Sequence, residues 1–302
     1  MTAPPATGPR GLPDLFVTER DRLLDLLRGL APGDWQLPTP CPGWSVLALC
    51  HHLVGDDVSV LSWHRDGYRG TPAPDGLAEP EFVAWLDQLQ IEWVHAARRL
   101  SPRLTIELLA WTGPRIAEAF RLQDPTARTA HVSWAGPDPV PVWLDQVREL
   151  SEYWIHRQQI LEALGRPPDL RADVLAPVLD GLRWAYPYRL EAADLPSVTP
   201  GDTVTIAVTG PVAVTWHLVA EPAAPDEPAA PAGTAGAHRL AWAFRPEPGP
   251  RQAAALSMTT DEAWRLLSNN LPAARQAALR LSGEPAVTDV LRRTRAIIGT
   301  PQ

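Results

Sequence analysis

The chain has 302 residues, 45% hydrophobic and 21% charged, the composition of a globular protein with a real core and enough length for two domains. A formal net charge of −8 argues against a dedicated nucleic-acid binder, and no stretch reaches the roughly 18 uninterrupted apolar residues of a membrane helix. Cys41 and Cys50 have no CxxC neighbour and cannot build a disulfide scaffold, so a reduced, cytoplasmic protein is expected.

Residues 1–13 lack a basic stretch followed by an apolar one and read as a disordered leader rather than a signal peptide. Leu15, Leu23, Leu26, Leu27 and Leu30 recur near helical spacing and predict a first helix over 14–30. The Pro- and Gly-rich run "APGDWQLPTPCPGW" ends it. Further helices are expected over 45–65, 80–100 and 101–122, the last with Ser101 as N-cap and Pro102 at the first helical position. After an irregular segment comes a helix over 140–164, stopped by Gly165, Pro167 and Pro168, and then one over 172–190. Ten of the 13 tryptophans fall between 35 and 184, which puts the heavier aromatic packing in this part.

Beyond Pro200 the pattern changes. "DTVTIAVTG" and "VAVTWHLVAE" alternate as strands do, with Gly210-Pro211 as the turn, and "HRLAWAFRP" reads as a third strand. The low-complexity run over 221–237 is expected to be a mobile loop. "TTDEAWRLLSNN" is a helix capped by Thr259 or Thr260, followed by a strand in "AALRLSGEP" and a helix in "AVTDVLRRTRAII". The fold class is α+β: a helical bundle over 14–195, then a small α+β domain over 196–302.

The helix over 140–164 carries the first chemical signal. At roughly 100° per residue, Asp145, Glu149, Glu152, His156 and Gln159 share a sector of roughly 80°. Wide apolar flanks (Val142, Tyr153 and Ile160 on one side, Leu144 and Ile155 on the other) distinguish this seam from the solvated face of an ordinary amphipathic helix. A buried Glu and His need partners, because unpaired burial costs several kcal/mol. Glu152 and His156, four residues apart, can converge on one metal ion, although a buried Glu–His ion pair would also satisfy them.

On the helix over 45–65, His52 shares its side with Ser45, Ala48, Asp56, Ser59 and Trp63. Small residues there, and Gly55 near the edge, leave room for a ligand before the imidazole. A lone helical histidine is more often a packed residue, and adjacent His51, pointing elsewhere, is read as structural or exposed. His64, His95, His131 and His217 lack ligand spacing, and HExxH, GxSxG and phosphate-loop motifs are absent. Cys41, between two prolines and without a basic neighbour in sequence, is read as structural rather than nucleophilic.

"DWQLPTPCPGWSVLALCHHLVG" (34–55) and "ELSEYWIHRQQILEALGRP" (149–167) resemble the two signatures of the mycothiol-dependent maleylpyruvate isomerase family, within the wider DinB-like four-helix-bundle metalloproteins. The strand residues Trp216-His217-Leu218 and the closing "SGEPAVTDVL" are similar to that family's C-terminal domain. The resemblance implies a DinB-like four-helix bundle with a small α+β C-terminal domain, and a divalent metal, zinc, held by His52, Glu152 and His156. It further implies mycothiol as thiol cosubstrate with a small-molecule substrate; no nucleic-acid or membrane partner, and a monomer or homodimer, are expected. Gln159 departs from the pattern, since relatives often carry Asp three residues after the second-motif His.

Two imidazoles and one carboxylate are the ligand set of a catalytic zinc with open positions. The implied chemistry is attack of a metal-bound thiolate on an electrophilic or unsaturated small molecule, as a cis–trans isomerase or a thiol S-transferase. Other readings are a metalloenzyme of the same fold using metal-bound water and a non-catalytic helical binding module. The substrate-binding residues are not legible in the sequence.

Overall fold

In the computed structural model, residues 8–70, 72–74, 76–77, 79–223 and 240–297 are described. The expected leader, up to residue 7, and most of the loop expected over 221–237 lie outside them. The chain divides into two compact units, residues 8–128 with 141–169 and residues 129–140 with 170–297.

The first unit is helical. Helix α1 (Leu12–Arg28) begins earlier than expected because Pro13 is tolerated in its first turn. Helix α2 (Val46–Val60) is capped by Ser45, whose hydroxyl accepts from the Ala48 amide, and it continues as one π-turn over Leu61–Arg65. Helices α3 (Glu79–Ala97), α4 (Pro102–Arg121) and α5 (Val142–Ala163) follow, α4 with Ser101 as its cap. Helix α1 packs on α4 and α5, and α2 packs on the same two, which closes a four-helix bundle; α3 lies against α2. The middle of α5 is buried nearly all round, because apolar residues such as Trp143, Val147, Leu150 and Trp154 fill one side while its polar seam points inward.

A buried polar strut ties four helices together. The Arg20 guanidinium on α1 makes a bidentate ion pair with Asp57 on α2, both contacts at 2.7 Å. Asp57 also accepts from Thr112 on α4 and from the Tyr153 hydroxyl on α5. A Cβ on Gly113 would stand 2.7 Å from the Arg20 side chain, so the glycine is what lets that side chain pass. Beside the strut, Arg157 on α5 pairs with buried Glu19 on α1 and, at 3.1 Å, with Asp169.

The second unit is an α+β layer. Helices α6 (Ala172–Leu182) and α7 (Ala185–Glu191) replace the single helix expected over 172–190. Strands β1 (Asp202–Thr209), β2 (Val214–Pro222), β3 (Leu240–Arg245), β4 (Arg251–Thr259) and β5 (Arg280–Gly283) form one sheet in the order β3-β2-β1-β4-β5. All neighbours are antiparallel except β1 and β4, which run parallel with Ile206 opposite Leu256. Val204, Ile206, Val208, Trp216, Leu218, Leu256 and Met258 bury one face in the period-2 pattern of a half-covered sheet. Helix α8 (Thr260–Leu267) opens with a capping box between Thr259 and Glu262, and α9 (Ala273–Ala277) and α10 (Pro285–Arg293) complete the unit.

A single boundary at 195 does not reproduce this division. Residues 170–195 cluster with the sheet because α6 packs on α8 and α7 on β3, and residues 129–140 join them through the short turn Ser133–Ala135. Strand β4, not anticipated from the sequence, contains three alanines in a row, a poor strand former alone; ladders on both sides hold it in place. Among the described residues, no helix is long and apolar enough to cross a membrane.

Candidate metal centre

The first unit brings His52, Glu152 and His156 together. One donor atom from each lies within 4.8 Å of the others, and among the described residues no other such group of three forms. Helix α2 supplies His52, and α5 supplies Glu152 and His156 from adjacent turns of its inward seam. The two imidazole rings stand edge to face with centroids 4.8 Å apart. Both histidines are 8% exposed, while Glu152 is half-buried.

A neutral amide carbonyl holds each imidazole. Gln159 Oε1 is 2.7 Å from His156 Nδ1, and Gln90 Oε1 is 2.9 Å from His52 Nδ1. A carbonyl oxygen only accepts, so each Nδ1 carries the ring proton and the lone pair of the neutral ring sits on Nε2. His156 Nε2 is 3.2 Å from Glu152 Oε2 yet makes no hydrogen bond, which leaves a buried nitrogen unsatisfied beside a carboxylate. A cation answers both groups, and the donor set suits zinc: the three residues fit the metal that the resemblance implies.

Electrostatics agree with neutral ligation at His52. Burial and the nearby His156 push its pKa down to about 4, so it is uncharged at neutral pH. Burial works against protonation of His156 too, but contact with Cys41 and Glu152 outweighs it and its pKa is raised. Glu152 is held below the usual range: burial opposes ionisation, and His156 and His52 more than compensate. A metal ion at this place would take the Nε2 lone pair of His156, with Glu152 supplying the negative charge beside it.

The surrounding residues extend this seam. Asp56 Oδ2 is 3.1 Å from His52 Nε2, and Trp44 lies over the His52 ring at 5.1 Å between centroids. Arg148 joins Glu149 at 2.6 Å and Asp145 at 2.8 Å, and Asp145 reaches His64 Nε2 at 3.3 Å. Burial raises the Glu149 pKa to about 7, despite Arg148. His51 is buried, as a structural residue would be, with Trp93 donating to its carbonyl oxygen at 2.7 Å. Cys41 departs from expectation: its thiol donates to Gln159 Oε1 at 3.2 Å and adjoins His156, a neighbour 115 positions away that no sequence spacing indicates. Gln90 was equally invisible, since it reaches His52 from another helix.

The helical unit is thus a four-helix bundle that carries a two-histidine, one-carboxylate cluster on two neighbouring helices. Residues 16–161 match the family model of the mycothiol maleylpyruvate isomerase N-terminal domain. A crystal structure of a mycothiol-dependent maleylpyruvate isomerase shares the fold, with a TM-score of 0.51 and 14% identity over 95% of this chain and 98% of that one. A crystal structure of a mutant mycothiol-dependent maleylpyruvate isomerase has a TM-score of 0.49 and 13% identity over the same shares. No curated protein matches the chain.

Proposed function

We propose that the protein is a mycothiol-dependent enzyme of the cytoplasm with one zinc ion held by His52, Glu152 and His156, acting on an unsaturated or otherwise electrophilic small molecule. The observation that carries this reading is the convergence of the three donors within 4.8 Å around the unsatisfied His156 Nε2. The match of residues 16–161 to the mycothiol maleylpyruvate isomerase N-terminal domain supports the choice of thiol. A zinc ion held by three protein ligands supplies a Lewis acid with open positions, which lowers the pKa of a thiol and keeps it as thiolate at neutral pH.

The chain's own residues do the rest. Gln90 and Gln159 orient the two imidazoles through their Nδ1 protons. Glu152 offsets the cationic charge, and Trp44 packs beside the His52 ring. The thiolate of the cosubstrate adds to a conjugated double bond, the resulting single bond rotates, and expulsion of the thiolate restores the double bond in trans geometry. With a saturated electrophile, the thiolate displaces a leaving group that departs with its bonding electron pair, and the product is an S-conjugate.

Metal content per chain, measured on protein purified without a histidine-rich tag, tests the site. About one zinc per chain that is lost in Glu152→Ala is expected. Mycothiol with unsaturated acids and electrophiles then separates isomerisation from transfer by product. Wild-type protein that cannot be loaded with zinc would overturn the reading.

A further inference from the structure

Helix α3 supplies no donor to the cluster, yet it is pinned to α2 at the level of His52. Trp93 packs against Gly55 so closely that a Cβ there would lie 2.5 Å from the indole, and its Nε1–H bonds the His51 carbonyl oxygen at 2.7 Å. Gln90, three residues earlier on the same side of α3, is thereby delivered to His52.

The two ends of the Gln90 amide have distinct partners. Its Nε2 faces Asp56 Oδ1 at 3.4 Å, and a carboxylate oxygen attracts the NH₂ end rather than the carbonyl. Its Oε1 is left for His52 Nδ1 at 2.9 Å and can only accept a proton from it. This bond favours the Nδ1–H tautomer, which leaves the lone pair on Nε2, the nitrogen 3.1 Å from Asp56 Oδ2, and the two contacts together orient the ring. A metal-ligating histidine needs the same arrangement, a second-shell acceptor on its other nitrogen.

We propose that Gln90 is a positioning residue of the metal centre: through it, helix α3 selects the His52 tautomer and sets how tightly the centre holds its metal. This rests on the metal reading above. It also assigns a purpose to the Trp93–Gly55 contact, since the packing of α3 on α2 becomes coupled to metal affinity.

Zinc affinity by competition with a chromophoric chelator tests it, on wild type, Gln90→Leu, Gln90→Glu and Gln88→Leu. Gln88 is an exposed residue of the same helix that bonds only Glu92, so its variant reports any general loss of helix stability. Gln90→Leu is expected to bind zinc about 10–100-fold more weakly with an unchanged far-ultraviolet circular dichroism spectrum. Gln90→Glu keeps an acceptor at the same place and stays within severalfold of wild type. The visible absorption bands of the cobalt(II)-substituted protein should shift in Gln90→Leu and not in Gln88→Leu.

Wild-type affinity in Gln90→Leu would overturn the proposal, and so would an equal loss in Gln88→Leu or an equally large loss in Gln90→Glu. If wild type itself took up no zinc or cobalt, the metal reading would fall and this inference with it, an outcome separable from the others by the first titration.

Discussion

Tyr153 donates its hydroxyl to Asp57 inside the bundle, and each residue is the chain neighbour of a group at the His52–Glu152–His156 cluster. Tyr153 follows Glu152 on α5, and Asp57 follows Asp56, the partner of His52 on α2. The bond therefore sets the register of α2 against α5, which is the register that brings His52 to Glu152 and His156. Arg157, which follows His156, repeats the device by pairing with Glu19 on α1.

Removing the carboxylate from this strut leaves the Arg20 guanidinium buried and unpaired. Asp57→Ala is expected to lose about 3–5 kcal/mol of stability, while Tyr153→Phe, which removes one hydroxyl and leaves the Arg20–Asp57 pair intact, loses about 1–2 kcal/mol. Urea unfolding of the two variants against wild type measures the difference; equal losses would mean that the ion pair is not what stabilises the strut.

The Gln159 carbonyl holds His156 Nδ1 at 2.7 Å. Gln159→Leu should weaken zinc binding about 10-fold or more, and Gln159→Asp should preserve it, because a carboxylate can accept the same proton. Chelator competition reads both. An unchanged affinity in Gln159→Leu would show that His156 is oriented by packing alone.

The two thiols should behave differently. Cys50 is fully buried, and burial pushes its thiol pKa up, so it should resist alkylation until the protein unfolds. Cys41 is half-buried and should react in the native protein, giving one modified thiol per chain by mass spectrometry. Cys41→Ser retains a donor for Gln159 and should keep its metal and nearly all activity; loss of activity with metal and fold intact would mark Cys41 as a nucleophile.

Acid sensitivity is expected at Asp202 in the sheet unit. The Arg251 guanidinium, working against burial and helped by Thr199, holds its carboxyl below the usual range. A carboxylate with a lowered folded pKa stabilises the protein above its unfolded pKa, about 4, and this contribution fades as pH falls through the folded value. Asp202→Asn should therefore cost about 1–2 kcal/mol at neutral pH and progressively less as the pH drops toward about 2. Urea titrations across that range check it, and a penalty that did not change with pH would mean that shape rather than charge matters at this position.

The sequence by itself determined the helices of the bundle, the inward seam of α5 and the pairing of Glu152 with His156. These are local properties: helical periodicity puts residues four apart on one face, and apolar flanks show which face is buried. His52 was legible through its motif, and Ser101 and Thr259 through cap chemistry. Only the tertiary structure decided that Gln90, 38 residues from His52, and Gln159 hold the two imidazoles, and that Cys41 lies beside His156. It also decided that the alanine-rich β4 pairs on both sides, and that α6 and α7 side with the sheet. Each of these depends on which elements pack together and in what register, and such contacts between distant positions leave no period in the chain.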